Sequence, residues 1–154
     1  MKLDSFTRFT LFKKTTIILF FMLIINCKKE EINRNPYLSE ISFRHIINLN
    51  LPEYNNLNYA GGNQLVANKG INGFLIFNLN GNDFFAWEAT CSNHQIKQCS
   101  ALKLDGLLAV CPCDDYKYSL ATGQLIDLQN ENNSQYPLLN YRIEKDNKIL
   151  IISN

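Results

Sequence analysis

Apolar residues recur at every second position in short runs separated by Gly and Asn, and this pattern limits the fold more than any other feature. Phe43, His45, Ile47 and Leu49 fall at alternate positions, and the runs Phe74 to Leu79 and Phe84 to Ala89 flank Asn80-Gly81-Asn82. Period two turns one side of an extended strand toward a core, and Asn-Gly between two apolar runs is hairpin chemistry. A further hairpin closes the chain, with Leu139, Tyr141 and Ile143 alternating before Asp146-Asn147 and Ile149 to Ile152 following. Gly and Asn gather between the runs, at Tyr59 to Asn63, Asn68 to Gly73 and Asn130 to Asn133, where positive φ is most often needed. No run keeps a helical period for more than two turns, so the expectation is an all-β antiparallel fold of short strands with one long cysteine-rich insertion.

The chain begins differently. Lys2, Arg8, Lys13 and Lys14 precede an apolar run from Thr15 to Ile25, which ends at Cys27 and a charged stretch. About eleven apolar residues fall short of the roughly twenty that a bilayer-crossing helix needs, so residues 1–26 read as a signal peptide. Ile24-Ile25-Asn26-Cys27 resembles a lipobox, which implies that Cys27 is acylated and starts the mature chain; Asn26 departs from the usual small residue. Lys28-Lys29-Glu30-Glu31 resembles the export tag of some Bacteroidetes surface lipoproteins, and a solvated charged tether fits it equally. The expected organisation is therefore a signal peptide at 1–26, an acylated cysteine and polar tether at 27–40, and a β domain at 41–154. The location implied is an outer membrane or cell surface, with a lipid anchor as the membrane contact.

Charge excludes one class of partner. The 154 residues carry 15 Lys and Arg against 14 Asp and Glu, and removing residues 1–26 takes away four bases and one acid, leaving a net charge of −2. Nothing in that balance attracts nucleic acid. The length suits one domain with a modest core.

Four cysteines remain after Cys27: Cys91, Cys99, Cys111 and Cys113. Outside the cytosol an even number allows disulfides, in three connectivities. A four-thiolate zinc or iron-sulfur site is the less natural use, because Cys111-Pro112-Cys113 is tighter than the usual C-x-x-C knuckle. Asp114 and Asp115 invite a hydrolase reading, but adjacent carboxylates rarely aim at one substrate, and turn-capping is the simpler role. The chain has no Ser-His-Asp set, phosphate-binding glycine loop or H-E-x-x-H helix, and Trp87 with the many Tyr and Phe residues reads as packing.

Cys91-Ser92-Asn93-His94, then Cys111-Pro112-Cys113-Asp114-Asp115-Tyr116, then Gly123, resembles the two cluster-binding loops of a Rieske [2Fe-2S] domain. The resemblance spans Ser42 to Ile152 and includes a strand at Gly123-Gln124-Leu125, the passage through Tyr136-Pro137-Leu138 and a closing hairpin at Tyr141-Arg142-Ile143. It implies a Rieske-like antiparallel β sandwich with a two-loop insertion. In that family two Cys thiolates hold one iron and two His nitrogens hold the other. Aligning Cys91 and Cys111 with the family cysteines leaves Asn93 and Asp114 where the histidines belong. Asparagine replaces an imidazole poorly, and aspartate is a hard oxygen donor. His94, one place late, reads as a solvent-facing loop residue or, if the loop shifts, as an imidazole presented at the Asn93 position. His45 lies in a strand-like segment with no expected role there.

By the same resemblance Cys99 and Cys113 form the disulfide that ties the two loops together. Cys91 and Cys111 then face each other, to bind iron, stay reduced or join. Joining them would close a loop of about twenty residues, worth roughly 3 kcal/mol. The expectation adopted is two disulfides and no cluster, in a binding or assembly module with an unknown protein partner. The alternative is an electron carrier with a [2Fe-2S] cluster on Cys91, Cys111, His94 and Asp114, and oxygenase activity would require a partner because there is no second domain.

Overall fold

Nine strands and one short 3-10 helix are seen in a computed structural model that describes residues 34–126 and 135–154. The expected signal peptide, Cys27, the charged stretch Lys28 to Glu31 and the Asn130 to Asn133 turn lie outside the described residues. Among the described residues no helix is long and apolar enough to cross a membrane.

Six strands form one antiparallel sheet: β1 (Arg44–Asn48), β2 (Asn63–Val66), β3 (Phe74–Asn78), β4 (Phe84–Glu88), β8 (Asn140–Asp146) and β9 (Ile149–Ser153), in the order β1-β9-β8-β4-β3-β2. The two hairpins expected from the turn residues are both present, as β3–β4 and β8–β9. The first is closed by asparagine side chains. Asn80 Oδ1 accepts from the N–H groups of Asn82 and Asp83 at 2.9 and 2.8 Å, and Asn78 Oδ1 accepts from the N–H of Gly81. A 3-10 helix, Pro52–Asn58, links β1 to β2 and buries Leu57.

The sheet curls because β8 serves two partners. Asn140 and Tyr141 pair with β4, whereas Arg142–Asp146 pair with β9. Curling brings β1 and β9 over β3, so that Ile47, Leu150 and Ile152 share one core with Phe74, Ile76, Ala86 and Tyr141. Phe43 stacks on Phe74 with ring centroids 5.6 Å apart. His45 rests against the same Phe74 ring at 5.6 Å, within the sheet and apart from the cysteine-rich loops.

The other face of β3 and β4 serves a second core. Leu75, Phe77 and Trp87 pack with Ala89, Cys91, Leu102, Ala109, Cys111, Tyr118 and Leu120. Alternation thus sends successive residues of β3 to opposite cores, which explains why all five of its residues are buried. Above this second core lies a small antiparallel sheet of β5 (Lys103–Asp105), β6 (Leu108–Val110) and β7 (Lys117–Ser119). The strand expected at Gly123 to Leu125 is instead a turn with a single bridge, Leu125 to Tyr118. The reason is local: Gly123 takes φ +70°, and a Cβ there would stand 2.7 Å from Trp87 Cζ3. Trp87 Nε1 donates to the Leu120 carbonyl at 2.8 Å, pinning that turn to the core.

Candidate metal centre at the two-loop tip

Two loops meet at one end of the small sheet. The first leaves β4 at Cys91 and is sealed at its root by the Thr90–Ala101 bridge and by Cys91 N–H donating to the Ser100 carbonyl at 2.9 Å. The second runs from Cys111, after β6, and is closed by Cys111 N–H donating to the Tyr116 carbonyl at 2.8 Å. Asp115 occupies the left-handed region at φ +54°, which a short Asp side chain tolerates. The Cys99–Cys113 disulfide, with Cα atoms 5.2 Å apart, joins the loops as expected.

The second expected disulfide is absent. Cys91 and Cys111 are free thiols, both fully buried. Each sulfur has other partners: Cys91 Sγ lies 3.3 Å from the Tyr118 hydroxyl, and Cys111 Sγ lies 3.2 Å from His94 Nε2. Those contacts hold each sulfur in a hydrogen-bonding position.

The solvent-facing reading of His94 also fails. The donor atoms of Cys91, His94 and Cys111 all lie within 4.8 Å of one another. His94 Nδ1 stands 2.7 Å from the Gln95 carbonyl, which can only accept, so Nδ1 carries a proton and Nε2 is the nitrogen presented to Cys111. Asp114 Oδ2 stands 3.5 Å from that Nε2, with the His94 side chain 10% exposed and the Asp114 side chain 39% exposed. Asp114 therefore sits at the rim, facing the imidazole.

Asn93 explains the one-residue shift. Its Nδ2 donates to the Tyr118 hydroxyl at 2.8 Å and to the Tyr136 carbonyl at 2.9 Å, and its Oδ1 accepts from the Tyr136 N–H at 2.7 Å. With that amide engaged by a segment 43 residues away, the loop turns the next side chain, His94, toward the sulfurs. Asn93 and Tyr118 thus shape the site without having been picked out as site residues. Only the position of Asn93 in the motif hinted at a role. The segment expected as a tether is fixed at its described end, where Asn35 Nδ2 donates to the Ser92 carbonyl at 2.8 Å and Tyr37 packs edge-on against Tyr136.

The electrostatics separate the two thiols. A hydrogen bond from Cys91, then one from His94 and the backbone N–H groups of Cys113 and Asp114, push the Cys111 thiol down to about 5 against the effect of burial. Cys91, hydrogen-bonded to the Cys111 sulfur and desolvated, is pushed up. Desolvation pulls the His94 imidazole down, but the Gln95 carbonyl and Cys111 outweigh it, and the net direction is up. Both sulfurs are fully buried, which leaves no path for a bulky electrophile and suits a ligand better than a nucleophile.

A Rieske-type cluster does not fit these residues. It requires two imidazoles on the second iron, yet one of those positions holds Asn93, whose amide is fully engaged, and the other holds a carboxylate at the rim. Donors for two different irons belong at opposite ends of the cluster, whereas His94 Nε2 touches the Cys111 sulfur.

No family model matches this chain. No curated protein matches it either. Among solved structures, a chain from the complex of reduced oxygenase and oxidized ferredoxin in carbazole 1,9a-dioxygenase is similar, at 22% identity over 60% of this chain and 89% of that one, with a TM-score of 0.42. Sphingomonas yanoikuyae B1 ferredoxin is similar at 18% identity over 62% and 87%, with a TM-score of 0.42. The ferredoxin of carbazole 1,9a-dioxygenase from Nocardioides aromaticivorans IC177 is similar at 15% identity over 73% and 97%, with a TM-score of 0.44. With TM-scores of 0.42 to 0.44, these likenesses bring no residue roles to this chain. The architecture expected from the sequence, an antiparallel all-β domain with a cysteine-rich two-loop insertion, is present.

Proposed function

We propose that this chain is a lipid-anchored, Rieske-like binding or assembly module without an iron-sulfur cluster. Cys27 carries the anchor, the location is an outer membrane or cell surface, and the two-loop tip is offered to a protein partner. The observation that carries the reading is Asn93: at a position where the family needs an imidazole, its side chain is committed to Tyr118 and Tyr136. Anchoring has a geometric consequence. Asn35, fixed to the first loop, lies eight residues after Cys27. At no more than about 3.6 Å per residue, that anchor would keep Asn35 within about 30 Å of the lipid.

The second reading, an electron carrier with [2Fe-2S] on Cys91, Cys111, His94 and Asp114, draws on the free state of the two thiols. Iron and acid-labile sulfide content separates the two, measured with a visible spectrum on the full-length chain after reconstitution without oxygen. The proposal predicts a colourless protein without stoichiometric iron. About two irons and two sulfides per chain, with the absorbance of a cluster, would establish the carrier instead.

A further inference from the structure

We propose that Cys91, His94 and Cys111 form a site for a single borderline-soft divalent cation, with zinc the ion of choice and the fourth position open beside Asp114. The inference rests on the clusterless reading and deepens it: the tip keeps a metal, but one ion rather than a cluster.

Distance is the first support. Metal–sulfur and metal–nitrogen bonds of about 2.3 and 2.05 Å at tetrahedral angles place sulfur and nitrogen donors about 3.6 Å apart, and two sulfurs about 3.8 Å apart. Here the sulfur–nitrogen separation is 3.2 Å, and all three donors lie within 4.8 Å of one another. Seating an ion opens the 3.2 Å pair by a few tenths of an ångström and draws in the widest separation, at most 4.8 Å, by up to about 1 Å. The fourth tetrahedral ligand, if an oxygen, would stand about 3.4 Å from the imidazole nitrogen, and Asp114 Oδ2 stands 3.5 Å from it.

The surrounding groups are those a metal site needs. A ligating histidine commonly donates its other ring N–H to a carbonyl or carboxylate, which fixes the ring and its tautomer, and His94 Nδ1 is on the Gln95 carbonyl at 2.7 Å. The Tyr118 hydroxyl lies 3.3 Å from Cys91 Sγ, close enough to stabilise a thiolate. Two thiolates and an imidazole select zinc over calcium or magnesium, which prefer oxygen. The loops carrying the donors are already joined by Cys99–Cys113, so little ordering remains when the ion arrives.

Anaerobic titration of the full-length chain in detergent tests the site, with Co2+ as the spectroscopic probe and Zn2+ as competitor. The expected result is one Co2+ per chain with a thiolate-to-cobalt charge-transfer band that one equivalent of Zn2+ abolishes. Cys111→Ser and His94→Gln should each weaken binding on the order of 100-fold or more, at or beyond the upper end of effects measured for outer-shell partners alone. His94 lies in the first loop, outside every strand, so His94→Gln should keep the circular dichroism of the parent and isolate the ligand effect. The proposal is overturned if no charge-transfer band forms while both thiols are reduced, or if His94→Gln binds Co2+ as tightly as the parent. Iron and labile sulfide in the same sample would overturn the clusterless reading instead, so the two failures are distinguishable.

Discussion

The curled sheet and the two-loop tip are organised by different forces, although they share β3 and β4. In the sheet, five-residue strands bury Phe74, Ile76, Leu150 and Ile152 from opposite sides. At the tip, β5, β6 and β7 have three residues each, too few to be stable alone. The loops there are held by one disulfide, the Asn93 amide and the contacts of Tyr118. The sheet is thus a product of hydrophobic burial, whereas the tip depends on a few specific bonds. A tip built that way can change its ligand set without loss of the fold.

Breaking the sheet should break everything. Phe74→Ala removes a fully buried ring that Phe43 stacks on, and should cost about 3–5 kcal/mol, with tip and sheet unfolding together in a denaturant titration. Breaking the staple should separate the two regions. Replacing Cys99 and Cys113 by Ser opens a link between positions 14 residues apart and should cost about 3 kcal/mol. Faster amide exchange confined to residues 91–116 would identify that loss as local. Asn93→Ala removes three hydrogen bonds between the first loop and the Tyr136 segment. A loss of about 2 kcal/mol is expected, with exchange rising around Tyr136 but not in β9. At the small end, Ile46 is 55% exposed on β1, and Ile46→Ser should shift stability by no more than about 0.5 kcal/mol. A larger loss would mean that this face of the sheet is covered.

The same division governs what could be read from the residues. Period-two alternation and Asn-Gly turns mark the hairpins directly, because strand geometry repeats along the sequence. β5 to β7 leave no such mark, since three residues cannot show a period, and the Gly123 turn is set by contact with Trp87 across the core. The Cys99–Cys113 bond was reachable only through the resemblance. The inward turn of His94 stood there only as the alternative to a solvent-facing residue, because it depends on Asn93 meeting Tyr136, a contact 43 residues distant in sequence. The free thiols were missed for a related reason: connectivity arithmetic counts cysteines but not the Tyr118 hydroxyl and His94 imidazole that hold the sulfurs in place.

The central claim is that the tip keeps one disulfide and reserves two thiols as ligands. Alkylation of the full-length chain under denaturing conditions without reductant, followed by peptide mass spectrometry, tests it most directly. The account predicts alkyl groups on Cys91 and Cys111, with Cys99 and Cys113 recovered as a linked peptide pair. A second linked pair joining Cys91 to Cys111 would contradict it and leave the tip a doubly stapled surface with no ligands to offer.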